Sequence, residues 1–188
     1  MSFGKFIVIP IFIALLATSM MVLDIYKEST LRHFVPWIAF QAWAAYFLAG
    51  CTLKGGVKVL LAYLGGAAAS VAIMELAGVL TDWKLGQWAV PAAVFPVVVV
   101  VICAERVPGF DFVPGWFVGA GVYFALISLA DSKALSSLHG LSKWDKYLEA
   151  GLLLMVSCGV GQVYGVVTVF LRRRYEAMAK GAGKSKGK

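Results

Sequence analysis

Few side chains in this chain can carry chemistry, and those few sit inside apolar stretches. Glu75 is the one carboxylate set within such a run. A charge there costs about 3 kcal/mol or more at mid-membrane depth, which marks it as a functional candidate by default. Its run ends about five residues later, roughly 7 Å along a helix, so snorkelling to water is the stronger expectation. Gln41 and Gln162 place amides within two other apolar runs. An amide in hydrocarbon needs a partner, and an interhelical hydrogen bond of ~0.6–2 kcal/mol serves as structural glue or as a solute contact. Tyr46, Tyr123 and Tyr164 add hydroxyls. These six residues are the candidate solute path or polar core.

The remaining inventory excludes most other chemistry. His33 and His139 have no neighbouring ligand set, and Cys51, Cys103 and Cys158 are spaced too widely for a zinc site. Their odd number and apolar surroundings suit packing rather than a disulfide framework. Nucleophile-elbow, zincin, Walker and dinucleotide patterns are absent, and "GVGQVYG" (159–165) lacks the preceding strand that would make it a phosphate cradle. No catalytic residue, metal or cofactor is expected, and the chain is not read as an enzyme.

The elements that must position these groups are membrane helices. Of 188 residues 61% are hydrophobic and 14% charged. A soluble domain of this size cannot hide that much apolar surface. Six stretches, near 6–23, 35–51, 57–80, 88–104, 113–130 and 150–171, are each expected to cross a hydrocarbon layer of ~30 Å. Helices are the form that satisfies the backbone there, and strand alternation is missing. The expected class is all-α, with a six-helix transmembrane domain at 1–174 and a basic, disordered tail at 175–188. The first stretch is read as a retained helix, because its apolar run exceeds a signal core and lacks a good cleavage site.

Lysine and arginine set the orientation. With the N-terminus in the cytoplasm, the inner segments hold Lys5, Lys54, Lys58, Arg106, Arg172, Arg173, Arg174, Lys180, Lys184, Lys186 and Lys188. The outer loops hold Lys27, Arg32, Lys84, Lys133, Lys143 and Lys146. Both termini are therefore expected inside. The net charge of +7 is mostly this topology signal. The basic tail also suits anionic lipid. A nucleic-acid partner is not expected, since no groove or base-stacking platform accompanies it.

One phrase occurs twice. "FVPWIAFQAWAAYF" (34–47) and "FVPGWFVGAGVYFA" (112–125) open the second and fifth stretches, which run in opposite directions. The chain then reads as two three-helix halves of inverted topology, the plan of many transporters. Proline in a first helical turn and aromatic residues at an interface also explain the likeness locally. Gly115 with Gly119, Gly161 with Gly165, and Gly66 with Ser70 form small-residue pairs that let helix backbones meet. On the last helix Ser157, Gly161, Tyr164, Gly165 and Thr168 share one side, opposite an apolar stripe through Val163 and Phe170.

The segment "AYFLAGCTLKGGVKVLLAYLGG" (45–66), with its Gly55, Gly56 and Lys58 turn, and the F-V-P-G entry at 112–115 resemble the bacterial inner-membrane proteins grouped as DUF1097. The resemblance spans roughly 35–171. The basic tail and the loop near 131–149 are less typical. It implies a multi-pass protein of the bacterial inner membrane and carries no catalytic residues across. The expected function is a channel or permease for a small solute in a lipid bilayer, built as a homo-oligomer. The alternative is an accessory subunit of a larger membrane complex.

Overall fold

The structure is a computed structural model that describes residues 6–26 and 31–185. Lys5, Lys27, Lys186 and Lys188 of the charge pattern lie outside the described residues. Six α-helices, with no strand among the described residues, follow one another: α1 (Val8–Ile25), α2 (Pro36–Leu48), α3 (Leu53–Asp82), α4 (Ala89–Cys103), α5 (Val113–Ser128) and α6 (Lys143–Ser185). Short 3-10 turns flank α4 and precede α6. Each helix falls on one of the six apolar stretches.

The helix boundaries have local causes. Val35 is extended and Pro36 opens α2, where its missing N–H costs no helical bond. Gly50 (φ +91°) and Cys51 (φ +55°) then turn the chain through the left-handed region, which ends α2 early. Thr52 caps α3, its Oγ1 accepting from the Gly55 N–H at 3.0 Å. Gly109 (φ +98°) turns the chain between α4 and α5. Pro96 lies within α4 and leaves one carbonyl of that helix without its donor.

The helices differ in length. Helical segments Val8–Ile25, Leu53–Asp82, Gly86–Arg106 and Lys143–Ala179 have the length and apolarity to cross a membrane. By contrast α2 has 13 residues and α5 has 16, about 20 and 24 Å at 1.5 Å per residue. α6 continues beyond its apolar run and ends at Ser185.

Two helix pairs hold the bundle together. On α5, a Cβ at Gly119 would stand 2.6 Å from the Tyr63 Cα of α3, and one at Gly66 of α3 would stand 2.5 Å from the Trp116 carbonyl of α5. Ser70 donates to the Gly66 carbonyl at 3.0 Å and to the Ala120 carbonyl at 3.2 Å across the same contact. In the second pair, a Cβ at Gly161 of α6 would lie 2.4 Å from the Ala39 carbonyl of α2, and one at Gly165 would lie 2.5 Å from the Tyr46 ring. Such distances exclude any side chain, so the helices touch backbone to backbone or backbone to ring. The main core fills the space between the pairs with Ile38, Tyr63, Tyr123, Leu126, Leu154 and Cys158. α1 and α4 lie at the edges, with Leu15, Phe95 and Val100 exposed.

Glycines in these contacts and glycines outside them should respond oppositely to an added carbon. Gly66→Val pushes into α5 backbone and is expected to cost about 1–3 kcal/mol or more. Gly78→Ala meets nothing within 4 Å and is expected to gain up to about 1 kcal/mol from helix propensity. Thermal unfolding of both variants in detergent measures the contrast. Equal melting temperatures would show that the close approach contributes nothing.

Candidate functional site

α3 and α6 run antiparallel, and polar groups recur along the seam between them. At the end where α6 begins, Lys143 donates to Glu75 Oε2 at 2.6 Å and the Tyr147 hydroxyl donates to Glu75 Oε1 at 2.9 Å. The Tyr123 hydroxyl of α5 donates to the Tyr147 carbonyl at 2.8 Å. Two further contacts share this end: a hydrogen bond between His33 Nδ1 and Glu149 Oε1 at 3.0 Å, and the Lys146–Asp131 ion pair at 3.5 Å. The Glu75 side chain is half-buried.

About 18 Å further along α3, twelve residues at 1.5 Å each, lies a second polar group. Tyr63 is fully buried and its hydroxyl has no hydrogen-bond partner. Cys158 of α6, also fully buried, lies beside it. One helical turn on, the Gln162 amide donates from Nε2 to the Ala42 carbonyl of α2 at 2.8 Å. Its Oε1 is buried without a partner and is the atom that a Cβ at Gly56 would approach, at 3.3 Å. A buried carbonyl and a buried hydroxyl left unpaired are costly, about 1–3 kcal/mol each, and such groups need explanation.

The third level is the Arg173 end. Tyr46 is buried, its ring wedged between Gly165 of α6 and Gly56 of α3. Lys58 of α3 reaches Asp111 in the α4–α5 loop at 2.5 Å.

Of the six polar candidates, the structure brings Glu75 and Tyr123 into one network and puts Tyr46 and Gln162 on one seam. Tyr164 faces α1 instead, its hydroxyl 2.9 Å from Ser19 and its ring 5.6 Å from that of Trp43. Gln41 is separate from all of them. It is exposed, on a groove of about 500 Å³ between α2 and α5 beside Trp37, Val118 and Gly121. A position within an apolar run fixes depth, not the direction of the side chain.

Sequence reasoning missed Tyr63, Cys158, Lys143 and Tyr147 as members. Tyr63 shares a helical face with Gly56, Gly66 and Ser70, and that spacing was the available signal. Lys143 and Tyr147 stand one turn apart, but α6 begins at Lys143, well before the apolar run that marks it.

The family described as "Protein of unknown function (DUF1097)" matches residues 7–172, most of the chain. The chain belongs to the DUF1097 family. No curated protein and no solved structure matches it. Its apolar helices make this DUF1097 chain a membrane protein.

The Lys58–Asp111 pair ties the first turns of α3 to a carboxylate in the α4–α5 loop, outside the spans. The hydrogen bond from Lys58 holds the Asp111 carboxyl below its ordinary value of 3.8. A carboxylate held low contributes stability above its unfolded pKa, and that contribution fades as pH falls through the lower folded value. Asp111→Asn should therefore melt below the unsubstituted chain at pH 6, with the two curves converging as pH falls through the lowered folded value. A difference that persists unchanged at low pH would remove the ion pair as its cause.

Proposed function

We propose that this protein is a channel or permease for a small, neutral or weakly charged solute. The observation that carries this reading is the file of polar groups on the α3–α6 seam: Glu75 with Tyr147 at one end, Tyr63 with Cys158 midway, and Gln162 beside Gly56. Unpaired buried polar atoms in an apolar bundle are what a passing solute would hydrogen-bond. Ion conduction calls for charged rings or a carbonyl filter, and the middle of the seam offers neither.

The finer architecture belongs to the same proposal. Six spans arranged as inverted halves would relate α2 to α5 and α3 to α6. The α2–α6 contact would then correspond to the α5–α3 contact, and these are the two glycine-mediated pairs described above. The α3–α6 seam would lie on the axis between the halves, where such proteins place their sites. The short α2 fits this plan because its extended entry is sheltered by protein: the Val35 N–H donates to Ser157 Oγ at 2.8 Å. Positive charge concentrated on the Arg173 end supports the reading that this end and both termini face the cytoplasm of a bacterial inner membrane.

Proteoliposomes offered a panel of small neutral and acidic solutes test the proposal. At least one solute should enter faster than into empty vesicles. Tyr63→Phe removes a hydroxyl that holds nothing together, so it should leave the melting temperature equal or higher. It should also slow entry about tenfold, the equivalent of one hydrogen bond of ~1.4 kcal/mol. No entry of any solute sinks the reading.

One observation favours a second reading, an accessory subunit of a larger membrane complex. The Gln41 amide is exposed on the α2–α5 groove, and a lipid-facing amide gains by meeting another polypeptide. Gentle detergent extraction separates the two. Recovery with a different membrane protein in fixed ratio supports the accessory role, whereas homo-oligomers alone support the conduit.

A further inference from the structure

At the Arg173 end two grooves run into one another. The first, about 610 Å³, is lined by Tyr46, Thr52, Leu53, Phe170, Arg173 and Arg174 among others. The second, about 340 Å³, continues along the α3–α6 seam over Leu53, Val57, Leu60, Val163 and Val166. Tyr46, Leu53 and Val166 line both. The joined groove is thus cationic at one end and apolar for the next seven residues of α3, about 10 Å.

Its cationic end has four features that await an anion. Arg173 and Arg174 have no carboxylate partner among the described residues, although the adjacent Arg172 is paired with Glu176 at 2.9 Å. The Arg174 guanidinium instead lies over the Phe170 ring, 5.3 Å from its centre. α3 begins here, and Thr52 satisfies the N–H groups of Gly55 and Gly56. Those of Leu53 and Lys54 have no acceptor among the described residues. Tyr46 is only 3% exposed, yet its hydroxyl, on the wall shared by both grooves, makes no hydrogen bond. Helix N-terminal N–H groups and arginines are complementary to phosphate, and the hydroxyl of a tyrosine whose ring is held in the core adds a donor that is already ordered.

We propose that this groove binds one anionic phospholipid per chain. Its headgroup phosphate lies on Arg173, Arg174, the Tyr46 hydroxyl and the free N–H groups of α3, and the upper part of one acyl chain lies along the α3–α6 seam. The ligand is a lipid rather than a free phosphate because the cationic end opens directly into an apolar trough. A free anion would leave that trough empty beside its own charge. The inference stands apart from the transport reading: a lipid can occupy this groove whether or not a solute crosses the seam.

The full chain, purified in detergent, is titrated with phosphatidylglycerol and with phosphatidylcholine of the same acyl chains, and bound lipid is counted by native mass spectrometry. One phosphatidylglycerol per chain is expected, held about tenfold or more tightly than phosphatidylcholine. This comparison needs no variant. Arg173→Gln with Arg174→Gln should abolish the preference, and Tyr46→Phe should weaken it several-fold. Lys184→Gln with Lys186→Gln, which keeps both arginines, should leave it intact. Equal binding of the two lipids overturns the proposal. So does an equal loss in the tail variant, which would mean diffuse attraction to the basic terminus. Displacement of the lipid by millimolar inorganic phosphate overturns it too, since the groove would then be a site for a free anion.

Discussion

The fold depends on the removal of side chains at two interhelical contacts. Lipid removes the hydrophobic drive that joins helices in water, so association must come from close packing and from the hydrogen bonds that closeness permits. Gly66 with Gly119 brings α3 against α5, and Gly161 with Gly165 brings α6 against α2. These approaches let Ser70 reach the Ala120 carbonyl and let Gln162 reach the Ala42 carbonyl. Neither bond would form if the backbones stood a methyl group further apart. The polar contacts are consequences of the glycines rather than independent sources of stability.

That dependence shapes the α3–α6 seam. Each of these two helices gives its glycine face mainly to a different partner, α5 or α2, and meets the other with larger residues. Tyr63, Cys158 and Gln162 occupy this less tightly specified contact. The Tyr63 hydroxyl meets no carbonyl there and Gln162 Oε1 meets no N–H, because the backbone donors and acceptors of both helices are committed to one another. The ends of the seam are different. Water and flexible side chains are within reach, and Glu75 and Asp111 both find lysines. Exposed pairs of this kind contribute little to stability. Their effect is to fix loops to helix ends rather than to hold the bundle.

Much of this was legible in the residues. Apolar runs located all six helices, and the small-residue pairs identified the contact faces, because both signals depend on local composition. On α6, Ser157, Gly161, Gly165 and Thr168 are buried while Val163 and Phe170 are exposed, which the helical period alone separates. Two things were not legible. The length of α2 is set by the backbone at Val35 and Cys51, where apolar residues continue although the helix does not. The direction of Gln41 is set by which neighbours α2 acquires, and an isolated amide has no second residue to define a face with. Gln162 was more readable because Gly161 and Gly165 flank it and show which side of α6 meets protein.

The short helices bear on what the fold can do. At about 20 and 24 Å, α2 and α5 fall below a hydrocarbon layer of ~30 Å, whereas α3 and α6 exceed it. A bundle of unequal helices thins the bilayer locally, tilts its long members or covers its short ones with protein. The groove that bears Gln41 runs between the two short helices and includes Ala44, Ala45, Gly121 and Ala125. Lipid is therefore poorest as a neighbour on that face, where the layer must deform and an amide faces it. α3 and α6 have the reverse condition, with length to spare and basic residues beyond the span. The polypeptide neighbour proposed for the α2–α5 face and the lipid proposed at the Arg173 end would both meet this inequality of helix length.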